Sequence, residues 1–292
     1  MSFYLKKNHI YVPIFGGLGN QMFQLAHALN ISNKLKSSLA LVDYTNSIGS
    51  IKRNWNLDCF GFFPSNISPL KKQFLKSVVK ISNISFKLGF RRRFGVLNEN
   101  HLMNNKDYKI DNKNIFIGYW QNESYFSESI NDIKSKFHFH KILFLPEYLK
   151  RNLEQNTVAI HIRRGDYVAN KNTKHIHFIC DDEWYLNALN LMQNLVSDPK
   201  FYIFSDDIKY SKELLKGISD IDITFVPNDK RDWFHMYLMT FCKNFIISNS
   251  SYSWWGSFLA KEKPNQIICP RYWSRNKLTE SMGIYRKNFF LL

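Results

Sequence analysis

The sequence predicts an α/β protein made of two successive halves, and three observations carry that prediction. Apolar runs of strand length recur along the chain, segments of helical period separate them, and a polar break near the middle precedes a restart of the same rhythm. A length of 292 residues is comfortable for two domains, and 45% hydrophobic with 16% aromatic residues suffices for a core in each.

The first element is His9–Phe15, an apolar run suited to a buried strand, followed at once by Gly16-Gly17-Leu18-Gly19-Asn20. Met22, Leu25, Ala26, Leu29 and Leu35 then repeat at helical spacing, and Leu39–Tyr44 returns as a second strand. Strand, glycine turn, helix and strand form a βαβ unit, which requires a parallel pair. The stretch 68–95 carries eight Lys/Arg and no acid. On a helix it sets Leu70, Phe74, Val78, Ile81 and Leu88 on one side and Lys72, Lys76, Lys80 and Lys87 opposite. That pattern fits a solvated surface helix or one attracted to anionic lipid. Asn114–Tyr119 reads as the strand closing the first half.

Pro146 and the polar stretch Lys150–Asn156 mark the boundary, giving domains of 1–150, with 68–95 as a basic helical insert, and 151–292. Beyond it come strands at Thr157–Ile162, Phe201–Phe204, Ile223–Val226, Phe245–Ile247 and Ile267–Cys269. Helices are expected near Asp182–Val196 and Tyr210–Lys216 and from Asp232. Two such halves imply a cleft able to wrap a ligand from both sides.

Four segments carry chemistry. Gly17 and Gly19 open a turn that lacks the third glycine of a dinucleotide fingerprint, since Met22 stands there. Its backbone amides still start a helix, a seat for phosphate or sugar oxygens, unless the turn is merely tight. Asp43 ends the second strand about where a ribose-binding acid would stand. The second segment runs from Val158 to Tyr167 and contains His161, Arg163, Arg164 and Asp166. Strand alternation puts His161 and Arg163 on one face and Arg164 on the other. A guanidinium at a strand's C-terminal edge can clamp a diphosphate with paired, charge-assisted hydrogen bonds, or can pair with a loop carboxylate.

The third segment, Phe201–Asp207, ends a strand in Asp206 and Asp207. These could hold a ribose or base, or cap the next helix. Adjacent rather than spaced as Asp-x-Asp, they do not suggest a metal. The fourth, Phe245–Gly256, opens a strand into a hydroxyl-rich turn with Ser250 and Ser251, then Trp254-Trp255, which serve either as core or as a stacking platform.

The formal charge of +16, from 40 Lys+Arg against 24 Asp+Glu, favours anionic partners without choosing among them. Cys59, Cys180, Cys242 and Cys269 lie far apart without zinc spacing, and read as buried thiols of a reducing cytoplasm. Residues 1–9 lack an apolar stretch long enough for a signal peptide, and no run is long enough to span a bilayer.

GGLGNQMFQLAHAL at 16–29, HIRRGDYV at 161–168, FSDD at 204–207 and IISNSSYSWWGSFL at 246–259 resemble, in this order, the bacterial α-1,2-fucosyltransferases of glycosyltransferase family 11. The resemblance implies two Rossmann-like domains facing across a cleft (GT-B type), with the donor held mainly by the second. It implies GDP-fucose as donor, inversion at the fucose anomeric carbon, no metal and no cofactor. It also implies a galactose-containing acceptor in a surface glycan such as lipopolysaccharide, modified at the 2-hydroxyl. Carried over by the motifs, Arg163 contacts the diphosphate, His161 lies near the nucleotide, and Asn20 faces the reaction centre. Asp206 or Asp207, with Ser250 and Ser251, line the nucleotide site, and Arg164, Gly17 and Gly19 join the donor-binding set. Members of the family it resembles often carry an acid just before the Met236-Tyr237-Leu238-Met239 segment; here His235 stands there, with Asp232 one turn earlier.

The reaction implied needs the acceptor hydroxyl deprotonated and the departing diphosphate stabilised. Arg163 and the glycine-turn amides suit the latter, with Asn20 positioning it. Asp166 is named as base because it is the carboxylate nearest the arginines, which would depress its pKa. A nucleic-acid-binding protein would also explain the charge, but the basic stretch lies apart from the motifs and no RNA-binding signature is present. A nucleotide-dependent oxidoreductase is weakened by Met22. The expected location is the cytoplasm, with peripheral contact to the inner membrane through 68–95.

Overall fold

The computed structural model describes residues 8–48, 51–87, 95–102, 109–110, 112–140, 144–152, 155–164, 180–218, 221–274 and 283–292. The chain divides into two compact units, Met1–His140 and Lys141–Leu292. The division falls ahead of the 150/151 boundary expected from composition. Asp166 lies outside the described residues.

The first unit holds a four-stranded sheet of β1 (His9–Ile14), β2 (Ser38–Asp43), β3 (Val96–Asn98) and β4 (Ile115–Ile117), ordered β2-β1-β4-β3 and parallel throughout. Strand β1 is buried along nearly its whole length because helices must return each crossover to the sheet. The first of them, α1 (Leu18–Leu35), is buried from Leu18 through Ile31 apart from half-buried Asn20. Strand β3 was not visible in the sequence, since three residues are too few to show a period.

Helix α2 (Pro69–Lys87) is the expected basic amphipathic helix, turned differently. Leu75, Val78 and Val79 are buried against Tyr11, Val42 and Ile115, whereas Leu70 and Ile81, expected on the inward side, are 73% and 40% exposed. Ile84 is also exposed, and Lys80 lies beside that outer stripe. Leu88 lies outside the described residues. Apolar residues flank the helix on two sides, and burial of a Leu or Val side chain contributes about 1.5–3 kcal/mol on either. Periodicity therefore could not choose the facing; the shape of the sheet did. Lys71 adds a reason, because its ammonium reaches in to donate to Tyr11 Oη at 2.5 Å.

The second unit is a six-stranded, all-parallel sheet ordered β10-β9-β8-β5-β6-β7. Its strands are β5 (Thr157–Ile162), β6 (Lys200–Ser205), β7 (Asp222–Phe225), β8 (Asn244–Ile246), β9 (Gln266–Cys269) and β10 (Phe289–Leu291). Val158, Ile160 and Ile162 pack on Trp184, Tyr185, Leu189 and Met192 of the helix Asp182–Leu195. That helix starts where expected, because the Asp181 carboxylate accepts the Trp184 N–H at 2.9 Å. Trp254 and Trp255 are fully buried, with Trp254 Nε1 donating to the Ile284 carbonyl at 2.8 Å; the pair is core. All four cysteines are free and buried. Among the described residues no helix is long and apolar enough to cross a membrane.

Candidate active site

In the second unit the chain order leaves β5 with β6 on one side and β8 on the other, so successive crossovers diverge at the β5/β8 boundary. Such a switch point opens a crevice at the carboxyl ends of the strands, where α/β folds bind ligands. The register decides which side chains meet there. His161 and Ile162 stand opposite Phe204 and Ser205, so the next residues out, Arg163 and Asp206, face each other. Arg163 Nη1 lies 2.7 Å from Asp206 Oδ2, both side chains half-buried, and Asp206 Oδ1 accepts the Arg164 N–H at 2.9 Å. One carboxylate thus aims the first arginine and fixes the backbone of the second.

His161 is buried on the β8 side, its Nδ1 3.0 Å from Ser248 Oγ and its ring stacked on Tyr252 at 5.6 Å. Burial first, then the Arg163 charge and His235, hold it well below the usual histidine range, so it is neutral at pH 7. His235 is held below its ordinary value by burial, against the opposing pull of the Pro227 carbonyl and Asp229. Its Nε2 must donate to that carbonyl at 2.9 Å, which leaves the neutral ring's Nδ1 as an acceptor. His235, which the resemblance marks as standing in place of an acid, is close enough for its charge to be felt at His161. Asp232 is exposed, and its carbonyl accepts the Tyr252 hydroxyl at 2.8 Å.

The other residues divide. Arg164 lays its guanidinium over the Tyr210 ring at 3.7 Å, while Nε is buried without a hydrogen-bond partner. Asp207 caps the helix Ile208–Leu214, accepting the Tyr210 N–H at 3.0 Å. Ser250 caps the helix Ser251–Phe258 through the Tyr252 N–H at 3.3 Å, and Ser251 begins that helix half-buried. Hence His161, Arg163, Asp206 and Ser248 share one strand edge, with Ser250 and Ser251 at the helix start beyond. Ser248 and Tyr252 lay within the fourth segment without being singled out.

The first unit has its own switch point, between β1 and β4. After β1, Gly16 adopts φ +82°, and a Cβ there would come 3.0 Å from Asn20 Nδ2. Gly17 precedes α1, and Gly19 is buried in its first turn. Asp43 is occupied locally, its Oδ1 accepting from the Thr45 N–H and hydroxyl at 2.9 and 2.7 Å. After β4 comes Gly118-Tyr119-Trp120-Gln121, and Gln121 Nε2 donates to Asn20 Oδ1 at 2.6 Å across the switch point. Trp120 holds a left-handed φ of +56°, which costs a non-glycine residue roughly 1–2 kcal/mol. Two hydrogen bonds hold the turn in that conformation: Glu99 Oε2 accepts the Tyr119 and Trp120 N–H groups at 2.7 and 2.8 Å. Neither Glu99 nor Gln121 was singled out from sequence, and no local signal marks them.

Among the described residues no cluster of three His, Cys, Asp or Glu side chains could hold a metal ion.

An α-1,2-colitosyltransferase of Escherichia coli is 31% identical over 267 residues, covering 88% of this chain and 90% of that protein. The O-antigen biosynthesis glycosyltransferase WbnK of Escherichia coli is 27% identical over 92% of this chain and 98% of that protein. A solved structure of an Arabidopsis thaliana FUT1 variant in complex with GDP aligns with a TM-score of 0.49 at 13% identity, covering 87% of this chain and 69% of that one. The model of glycosyl transferase family 11 matches residues 6–292, nearly the whole length, and the chain belongs to that family.

Proposed function

We propose that this glycosyltransferase moves L-fucose from GDP-fucose to the 2-hydroxyl of a β-galactoside in a surface glycan of O-antigen or lipopolysaccharide type, with inversion and without a metal. The observation that carries the reading is the Arg163–Asp206 pair beside neutral His161 at the β5/β8 switch point. An anion seated there meets a preorganised cation and the start of the helix Ser251–Phe258.

In the reaction the acceptor oxygen attacks the anomeric carbon, the bond from that carbon to the diphosphate oxygen breaks, and its electron pair leaves with GDP. Arg163 stabilises the growing charge on the diphosphate, and Asn20 with the glycine-turn amides orients the reacting end. Asp206 holds Arg163 in place, while His161, Arg164, Asp207, Ser250 and Ser251 complete the donor site. The acceptor proton passes to a carboxylate, for which Asp166 is the candidate. With the ion carried by the protein, no divalent metal is needed. The protein works in the cytoplasm, with the outer stripe of α2 and its lysines resting on the anionic inner membrane.

The colitosyltransferase relative favours a second reading for the donor, because colitose is fucose lacking the 3-hydroxyl. Incubation of the purified protein with GDP-fucose or its 3-deoxy analogue, over a panel of β-galactosides and with or without chelator, tests both. Transfer from GDP-fucose, an α-1,2 product by NMR and no effect of chelator are expected. Turnover of the 3-deoxy donor alone would replace fucose by colitose, and transfer from neither would end the reading.

A further inference from the structure

Three loops meet at the carboxyl edge of the first unit's sheet, and one carboxylate sits among them. Glu99 follows β3 directly, and the register that pairs Asn98 with Ile117 sets it beside the turn leaving β4. The approach is close because residue 118 is glycine. A Cβ on Gly118, whose φ is +158°, would lie 2.4 Å from Glu99 Cβ and 2.6 Å from Oε2. Glu99 Oε2 takes the Tyr119 and Trp120 N–H groups, and Gln121 follows them. Gln121 Nε2 then engages Asn20 Oδ1 at 2.6 Å, which fixes the amide of Asn20 with its Nδ2 end at the glycine turn. The Tyr119 ring packs at 5.0 Å on Phe15, the residue before that turn.

We infer that Glu99 is a positioning residue of the transfer reaction: its ionised carboxylate holds the turn 118–121 so that Gln121 orients the Asn20 amide toward the donor. The inference rests on the proposed place of Asn20 at the reaction centre. The groups that face the carboxylate are the amides of Tyr119, Trp120 and Gln121 and the Tyr119 phenol, itself raised by burial and by the Glu99 charge. Burial outweighs the amides and pushes Glu99 up to about 7. Protonation weakens the carboxylate as an acceptor, so the turn loosens as pH falls through neutrality, and the Asn20 amide loses its orientation.

The experiment is kcat/KM against pH for wild type, Glu99→Gln, Glu99→Ala, Asn20→Ala and the Ala/Ala double variant, with thermal unfolding of each as a control on folding. Wild type should lose activity on the acid side with a midpoint near about pH 7. Glu99→Gln, which keeps an acceptor but cannot ionise, should lack that limb. Glu99→Ala should lower kcat/KM on the order of 100-fold through misplacement of Asn20, and the double variant should be no slower than Asn20→Ala alone. A Glu99→Gln profile that retains the acid limb, or losses that multiply in the double variant, would overturn the inference. Should Glu99→Ala fail to fold, the isosteric Gln variant decides by its profile. Full activity of Asn20→Ala would instead remove Asn20 from the reaction, a separate failure visible in that single variant.

Discussion

Arg163 owes its placement to a residue distant in sequence, and this is where single side chains matter most. Asp206 grips both its guanidinium and the next backbone amide, so the cation is held at the strand edge before any donor arrives. Removing a preorganised donor from such a site costs on the order of 100- to 1000-fold in rate. Arg163→Ala should therefore lower kcat by that amount while leaving the fold intact. Asp206→Asn should lower it less, because the amide still accepts the Arg164 N–H. Retention of more than about a tenth of wild-type turnover by Arg163→Ala would remove it from the diphosphate site. His161, Arg163 and Asp206 were legible as candidates because strand ends in α/β folds bind ligands. Their pairing was not, since it depends on which strand lies next to β5.

Among the elements, α2 diverges most from its sequence pattern. Its inner face is Leu75, Val78 and Val79, and Leu70, Ile81 and Ile84 form an outer stripe flanked by lysine. The proposed membrane contact would draw on both terms, apolar insertion and charge. Sedimentation with vesicles containing anionic phospholipid should capture the wild-type protein more than neutral vesicles do. Ile81→Ser with Ile84→Ser should reduce capture, as should neutralising Lys72, Lys76 and Lys80. Equal capture of all variants would detach α2 from the membrane. The short strands β3 and β10 left no trace in the periodicity, and the βαβ unit of β1, α1 and β2 was plain from it.

Taken whole, the protein buries histidines that must stay neutral. Burial, with the Lys34 charge, lowers His27 to about 3, and His161 and His235 are lowered too. The unfolded chain takes up these protons near pH 6.5 and the folded one refuses them, so stability falls as pH drops below that value. Glu99 opposes the trend, since its raised value makes the folded state hold a proton that the unfolded chain releases between about 4.5 and 7. Three groups act against one, and the formal charge of +16 grows with acidification and adds repulsion. The thermal midpoint should fall between roughly pH 7 and 5. A flat or rising midpoint over that window would contradict the buried, neutral state of the histidines.

By itself the sequence determined two parallel α/β units, the strand ends that carry His161, Arg163 and Asp206, the glycine turn that leads into Asn20, and membership of a glycosyltransferase family. These are local properties: strand and helix periods, turn glycines and motifs span only a few consecutive residues. Only the tertiary structure decided that Arg163 meets Asp206, that α2 turns Leu70 and Ile81 outward, and that Glu99 and Gln121 brace Asn20. Each depends on strand order and register, which bring together residues such as Glu99 and Tyr119, 20 positions apart, and Asn20 and Gln121, 101 apart, in a way no local period encodes.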